Sequence, residues 1–136
     1  MKTMRTIMSA LAAMLGLSAC TSNAAIDLAG EWKVTTINGN KVPETLKEPS
    51  LSFNMAEKTF SGVTGVNIYN GDFKIDNGGV TFSDGPMTKM MADSVSMAVE
   101  DSYMKAIASV KGASVENGTL TLKDVNGNAV MTLKKM

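Results

Sequence analysis

A single cysteine and the absence of histidine limit the chemistry that this sequence can carry. Cys20 is the only cysteine among 136 residues, and the chain contains no histidine. A serine or cysteine nucleophile normally needs a neighbouring base, most often histidine, before it becomes reactive. Lys89 beside Ser83 or Ser94 is the nearest substitute for such a pair, but solvated lysine is the simpler interpretation. We therefore predict no enzymatic activity and no catalytic residues.

The carboxylates are arranged as expected for turns. Asp72, Asp76 and Asp84 could be combined into a glycosidase-type pair, yet each lies beside a turn glycine or at the end of a predicted strand. Aspartate is favoured at such positions for backbone reasons. The stretch D-V-N-G-N at 124–128 resembles the start of a calcium loop, but the glycine at loop position six and the glutamate at position twelve are missing. We predict no metal site and no cofactor.

Methionines form an unusual cluster in the second half of the chain: Met87, Met90, Met91, Met97 and Met104. Thioethers select Cu(I) among the transition metals, but methionine also fills irregular space between a helix and a sheet. Met90, Met97 and Met104 recur at seven-residue steps, which suits helix packing. We interpret the cluster mainly as core packing, with a Cu(I) site and an adaptable binding surface as the alternatives.

The first nineteen residues have the composition of a secretory signal peptide. Lys2 and Arg5 precede an apolar run over 7–17, and small residues follow this run. The run is too short for a membrane-spanning helix. The leader carries two of the 13 basic residues and none of the 13 acidic ones, so the remaining chain is weakly negative. Without a basic stripe we expect no nucleic acid partner, and we expect a monomer.

The residues around Cys20 resemble the lipobox of bacterial lipoproteins. Leu17, Ser18 and Ala19 directly precede the cysteine. The resemblance implies cleavage before Cys20, a diacylglyceryl thioether on its sulfur and fatty acylation, such as palmitate, of the new amine. Several acyl chains anchor a protein firmly, whereas one alone does so only marginally. Ordinary cleavage that leaves a free thiol is the alternative, and residues 20–25 are predicted to form a short tether in either case.

Asn-Gly pairs divide the rest of the chain into short strands of alternating apolar and polar residues. Asn-Gly suits a two-residue type I′ turn because both positions need positive φ, and such a turn fixes the strand register. Turns at 70–71 and 77–78 would place six apolar residues on one face, which are Val66, Ile68, Phe73, Ile75, Val80 and Phe82. In that register Val66 is a core residue beside Ile75, and Asn67 faces outward.

Further strands follow from the same pattern. The first strand, 31–37, ends at the Asn-Gly pair 38–39, and a turn at 126–127 closes a C-terminal hairpin with Val130 on its outer face. A four-residue loop at 55–58 joins two more strands. The pairs that these connections predict are Leu122 with Met131, Leu120 with Leu133, and Phe53 with Phe60.

A helical stripe interrupts the strands between 96 and 110. Its apolar residues recur at helical steps: Val99, Tyr103, Ala106, Ile107 and Val110. Glu100 and Lys105 are predicted to lie on the solvent side, and Gly112 to stop the helix. About seven or eight antiparallel strands and one amphipathic helix indicate an α+β domain over 26–136. We predict a compact antiparallel sheet or partial barrel with the helix packed on it.

Four stretches carry motifs in a recognisable order: 31–43, 61–73, 88–93 and 120–128. Together they resemble the META domain family, which includes the bacterial heat-shock protein HslJ. The positions that match the family's motifs are Gly65, Asn67, Gly71, Phe73, Thr88, Met91 and Ala92. The family's two motif cysteines fall on Val66 and Asp93 here, so any thiol chemistry of relatives is lost. The resemblance implies an antiparallel β fold with one helix and an envelope location, but no reaction.

These features together predict a lipoprotein held through Cys20 in the cell envelope, with its domain facing the periplasm or the cell surface. Its expected role is non-enzymatic, in envelope stress response or maintenance, through binding a protein or envelope component. Two alternatives remain: a small barrel that binds an apolar ligand, favoured by an open internal cavity, and a methionine-rich Cu(I)-binding protein.

Overall fold

Residues 26–83 and 85–136, which the computed structural model describes, form nine strands and one helix. In chain order these are β1 (Gly30–Ile37), β2 (Asn40–Lys41), β3 (Ser50–Asn54), β4 (Thr59–Val63), β5 (Ile68–Asp76), β6 (Gly79–Phe82), α1 (Ser94–Ser109), β7 (Gly112–Glu116), β8 (Thr119–Lys123) and β9 (Ala129–Lys135). The predicted α+β class and the family's fold are confirmed.

Eight of the strands close into an antiparallel barrel. β3 to β9 pair in sequence order, and β1 closes the ring by pairing with both β3 and β9. β2 is an additional two-residue strand on β1. The weakest seam joins β6 to β7 through the single residue pair Gly79 and Gly112, reinforced by a hydrogen bond of 3.0 Å from the Val80 amide to the Lys111 carbonyl.

The antiparallel register gives the barrel two distinct ends. At the turn end, the described chain begins at Ile26 and the hairpin connections 55–58, 77–78 and 117–118 are found. At the loop end lie the connections 42–49 and 64–67, the segment 86–93 and the first turn of α1. The eight-residue connection 42–49 and the start of the long β6–β7 connection are therefore both at the loop end.

Side chains from the strands and from α1 fill the barrel interior. Trp32, Phe73 and Tyr103 are at most 2% exposed and belong to one continuous core. The indole of Trp32 donates a hydrogen bond of 2.9 Å to the Leu28 carbonyl. The Lys135 ammonium lies 4.8 Å from the indole ring centre. These contacts tie the first described residues to the turn end of the barrel.

Most of the predicted register is confirmed. The strand pairs Phe53–Phe60, Phe73–Phe82, Ile75–Val80, Leu122–Met131 and Leu120–Leu133 all form. Asn77 and Gly78 have φ of 52° and 81°, and Asn38 and Gly39 have the same values, as a type I′ turn requires.

The predicted turn at Asn70–Gly71 is wrong. β5 runs without a break from Ile68 to Asp76, with Gly71 paired to Phe60 on β4. A side chain on Gly71 would come within 2.9 Å of the Phe60 ring and 2.5 Å of the Ser83 carbonyl. Gly71 is thus needed for close packing within a strand, where it allows the ring to pass over the backbone.

Because that turn is absent, several side chains lie on the opposite face from the one predicted. Tyr69 points into the core and Ile68 is 40% exposed. Val66 is fully buried as predicted, but it lies in the connection between β4 and β5 and not beside Ile75. Asn67 was predicted to face outward and is only 2% exposed. Val130 was also predicted to face outward, but a register shift in the β8–β9 pairing leaves it 7% exposed.

The helix and the methionines differ from expectation at specific positions. All five apolar stripe residues are buried, but so is Glu100, which was predicted to face solvent. α1 ends at Ser109, three residues before Gly112. Met87 and Met104 pack against the core as predicted. For Met90 and Met91 the core prediction is wrong, since they are 47% and 81% exposed.

Candidate functional site

A buried amide, the side chain of Asn67, connects three segments at the loop end. Its Oδ1 accepts hydrogen bonds from the Met90 amide at 2.6 Å and from the Thr88 hydroxyl at 2.9 Å. Its Nδ2 donates to Glu100 Oε2 at 2.8 Å and to the Met90 carbonyl at 3.2 Å. An asparagine side chain has two donor protons and an acceptor oxygen with two lone pairs. All four are used here, so the side chain is saturated by protein groups.

Glu100 presents a carboxylate to this asparagine from inside α1. It is 9% exposed, and its Oε2 also accepts a hydrogen bond of 2.6 Å from the Thr64 hydroxyl. Both donors are neutral, and no basic side chain of the described chain lies within ion-pair distance of the carboxylate. The Thr64 hydroxyl in turn accepts a hydrogen bond of 2.9 Å from the backbone N–H of Asn67. The network therefore joins the 64–67 connection to the helix.

The segment carrying Thr88 is held along the edge of β5. The Ile68 amide donates to the Thr88 hydroxyl at 3.0 Å, and the Thr88 amide donates to the Ile68 carbonyl at 3.1 Å. Further along, the Asn70 amide donates to the Pro86 carbonyl at 3.0 Å. The segment thus continues the pairing of β6 with β5 beyond the end of β6. It thereby places the Met90 backbone beside the Asn67 side chain.

The N-terminus of α1 closes the same end of the barrel. Asp93 is its N-cap residue, and its Oδ1 accepts from the Ser96 amide at 2.8 Å while its Oδ2 accepts from the Ser96 hydroxyl at 2.9 Å. The Leu46 amide donates to the Ser96 hydroxyl at 2.9 Å, and the Lys47 amide donates to the Gly65 carbonyl at the same distance. The 42–49 connection is therefore joined to the helix and to the 64–67 connection.

The hydrogen bonds from the backbone and hydroxyl of Ser96 hold the pKa of the Asp93 carboxyl below its ordinary value. A depressed folded-state pKa means that the ionised carboxylate stabilises the folded chain. This stabilisation is fully present above the unfolded-state pKa and is lost as the pH falls through the folded-state pKa.

We therefore expect the Asp93→Asn variant to lose part of the acid dependence of stability. Asparagine can still cap the helix but has no carboxyl to titrate. Urea unfolding measured at several pH values between 7 and 2 should show a shallower fall of the unfolding free energy for the variant than for the wild type. Equal slopes for the two proteins would contradict this role of Asp93.

The positions that match the family motifs fall into three groups in the structure. Asn67 and Thr88 meet in the network, and the Gly65 carbonyl accepts from the neighbouring connection. Gly71 and Phe73 belong to β5, where they shape the core. Met91 is 81% exposed and Ala92 is half-buried, so these two lie at the surface of the 86–93 segment.

Several predicted residues lie outside the described chain, and other residues of the site were not predicted. Leu17, Ser18, Ala19, Cys20 and Asp84 are outside the described residues. Thr64, Ser96 and Glu100 were not predicted as site residues, and Glu100 was predicted to face solvent. Glu100 lies three residues before Tyr103 and four after Ser96, so its position on the buried stripe was readable, although its charge argued against burial.

The arrangement is suited to holding loops. Asn67 is saturated, and Thr64, Thr88 and Ser96 hydroxyls all bond to protein groups. Within residues 26–83 and 85–136, no three His, Cys, Asp or Glu side chains are close enough to hold a metal ion. In the same ranges no helix is both long enough and apolar enough to cross a membrane. The site fixes the shape of the loop end.

Comparison with known proteins places this architecture in a family. The META domain model matches residues 25–136. A search of curated proteins gave no match. Among solved structures, an NMR structure of a protein from Burkholderia xenovorans is similar, with 18% identity, a TM-score of 0.60, and coverage of 80% of this chain and 83% of that one.

Two other solved structures share the fold. A protein solved by NMR has 18% identity and a TM-score of 0.58, with coverage of 79% of this chain and 90% of that chain. A crystal structure of a DUF4847 family protein from Bacteroides vulgatus has 14% identity and a TM-score of 0.55, with coverage of 79% and 92%. At these identities the likeness concerns the fold. The match of the family model over all of the described residues shows that this protein belongs to the META domain family.

Proposed function

We propose that this protein is a lipoprotein of the cell envelope, anchored through Cys20, whose META domain binds a protein or envelope component without catalysing a reaction. Its role would lie in envelope stress response or maintenance. The proposal combines the signal-peptide and lipobox pattern of residues 1–20 with the properties of the folded domain.

The observation that carries the non-enzymatic part is the saturation of the polar groups at the loop end. A reactive centre needs a nucleophile, base or electrophile that remains available to substrate. Here the asparagine, threonine and serine groups of the network are engaged with backbone and side-chain partners. The same groups hold three connections in one arrangement, which is what a binding surface requires.

The packing of the barrel disfavours the alternative of an internally bound apolar ligand. Small barrels that hold a ligand keep a cavity inside. In this barrel Trp32, Phe73 and Tyr103 occupy the interior together with the apolar face of α1. The exposed large apolar side chains of the described chain lie on the outside, and four of them, Leu46, Met90, Met91 and Val95, are near the N-terminus of α1.

The Cys20→Ala variant tests the anchor. We expect it to accumulate as an uncleaved precursor without lipid, because the lipobox pathway acts on the cysteine sulfur. Metabolic labelling with a fatty-acid analogue should mark the wild type and leave the variant unmarked. A labelled variant would refute the anchor.

The same variant tests whether the location matters for the role. In a strain lacking the gene, we expect the wild type to restore growth under heat or detergent stress and the Cys20→Ala variant to fail. Equal rescue by both proteins at equal abundance would show that anchoring is dispensable. If deletion has no effect under any envelope stress, the stress role itself is wrong.

A further inference from the structure

Four large apolar side chains are exposed around the N-terminus of α1. Leu46, Met90, Met91 and Val95 are 55%, 47%, 81% and 49% exposed, and we call them the apolar patch. The core readily buries other apolar side chains, so exposed ones grouped at one place point to a contact surface. Methionine adds to this because its flexible thioether adapts to differently shaped partners.

The patch is held in place by the polar network beneath it. Met90 is fixed by two backbone hydrogen bonds to the Asn67 side chain. The Leu46 amide is bonded to Ser96, one residue after Val95, and Met91 is two residues before the N-cap residue Asp93. Because the backbones are fixed in this way, little ordering entropy remains to be lost when a partner binds.

A groove continues the patch along α1. It has a volume of about 290 Å³ and lies between the β1–β2 hairpin and the helix. Ile37, Val42, Pro43, Val95, Ala98 and Val99 supply its apolar lining. Val95 belongs to both the patch and the groove. A partner with several apolar side chains along one face could therefore fill the groove and cover the patch together.

The charges beside the patch favour an acidic partner. Lys47 and Lys89 directly follow and precede the patch residues Leu46 and Met90, and Lys41 lines the groove. Among the described residues these lysines have no ion-pair partner within 4 Å. Two carboxylates, Glu44 and Asp93, belong to the same segments that carry the patch residues.

Of these two carboxylates, Asp93 has both oxygens bonded to Ser96 at the helix N-terminus. This carboxylate and the positive end of the helix dipole offset each other, so three lysines are opposed at the border of the patch by one further carboxylate, Glu44. The balance of unpaired charge at the border of the patch is therefore positive.

We infer that the apolar patch and its groove dock a protein segment whose apolar side chains are flanked by aspartate or glutamate. The inference rests on the proposed function for the location of its partner. With the lipid on Cys20, the six residues 20–25 span at most about 20 Å. They lead to Ile26 at the turn end, so the patch is on the end of the barrel that points away from the anchor.

Photo-crosslinking in the bacterium that makes the protein tests this surface. A photoreactive amino acid is placed at Met91 of the full-length chain, and a matched control is placed at Val115, which is 38% exposed on β7. We expect adducts from position 91 and not from 115, and mass spectrometry should identify crosslinked peptides with apolar residues flanked by acidic ones. Changing Lys47 and Lys89 to glutamate should lower the adduct yield about tenfold.

Other outcomes would overturn the inference. Adducts with phospholipid would show a membrane-facing surface, and adducts with a second copy of this chain would show a dimer interface. Peptides without acidic residues, a yield unchanged by the lysine substitutions, or no adduct at all would equally contradict it.

Lipid labelling and membrane fractionation of the same cells separate this inference from the proposed function. An unlipidated protein that still gives the expected adducts would refute the anchor and leave the docking surface standing. A lipidated protein without such adducts would refute the docking surface and leave the anchor standing.

Discussion

Replacing Asn67 with alanine is expected to lower the unfolding free energy by about 3 kcal/mol, because several buried groups lose their hydrogen-bond partner together. The Met90 amide and carbonyl and the Glu100 carboxylate each lose a bond to this side chain. Glu100 then keeps only the Thr64 hydroxyl as a donor. An incompletely satisfied carboxylate at 9% exposure is costly. Urea unfolding of the two proteins measures the difference.

Asn70→Ala is the matched control. Asn70 is exposed on β5, and only its backbone is engaged with the neighbouring segment. Surface substitutions of this kind usually change stability by less than about 0.5 kcal/mol. If both alanine variants have the same urea midpoint of unfolding as the wild type, Asn67 does not hold the network.

Gly62→Ala is the second substitution with a large expected effect. Gly62 lies on β4, and a Cβ there would overlap the Tyr103 hydroxyl and come within 2.9 Å of Leu51 Cδ2. Tyr103 is fully buried and its hydroxyl donates to the Ser50 carbonyl at 2.9 Å. Overpacking of a filled core costs about 1–3 kcal/mol, and we expect the upper part of this range. Thermal or urea unfolding measures it.

A second change identifies the colliding group. Burial raises the pKa of the Tyr103 phenol, so the hydroxyl stays protonated and occupied at the Ser50 carbonyl. Adding Tyr103→Phe removes the overlapping oxygen, and we expect Gly62→Ala to cost about 1 kcal/mol less in that background. Gly112→Ala is the control, because a Cβ at Gly112 meets nothing within 4 Å. Additive costs, or an equal loss at Gly112, would contradict this explanation.

The strand register could be predicted wherever local sequence alone decides it. Asn77–Gly78 forms its turn because both residues adopt positive φ without tertiary help. Asn70–Gly71 has the same two residues but stays extended, since Gly71 must face the Phe60 ring on the adjacent strand. No local rule distinguishes these two pairs. The difference depends on a contact between strands that the sequence does not display.

The candidate site was predictable only in part. Asn67, Gly65 and Thr88 were identified through family motifs, but the register derived from the incorrect turn placed Asn67 outside. Glu100 satisfies the helical periodicity of a buried position and was nevertheless predicted to be exposed, because an isolated carboxylate is rarely buried. Its burial depends on Thr64 and Asn67, which come from a connection more than 30 residues earlier in the sequence.

The methionines show the same limit of sequence-based prediction, here for apolar residues that were predicted to be buried. Their spacing predicted core packing, and Met87 and Met104 follow that prediction. Met90 is instead held by its backbone to Asn67, which leaves its side chain at the surface. Apolar character alone therefore misplaced Met90 and Met91, two of the four residues of the apolar patch.

Amide hydrogen exchange at Met90 tests the central claim, that the Asn67 side chain holds the 86–93 segment and thereby presents the apolar patch. The Met90 amide donates to Asn67 Oδ1 at 2.6 Å, so its protection reports on that bond. In Asn67→Ala we expect the Met90 amide to exchange much faster, while the amides of β8 and β9 remain slow. In Asn70→Ala the Met90 amide should exchange as in the wild type. A Met90 amide that stays protected in Asn67→Ala would contradict the account.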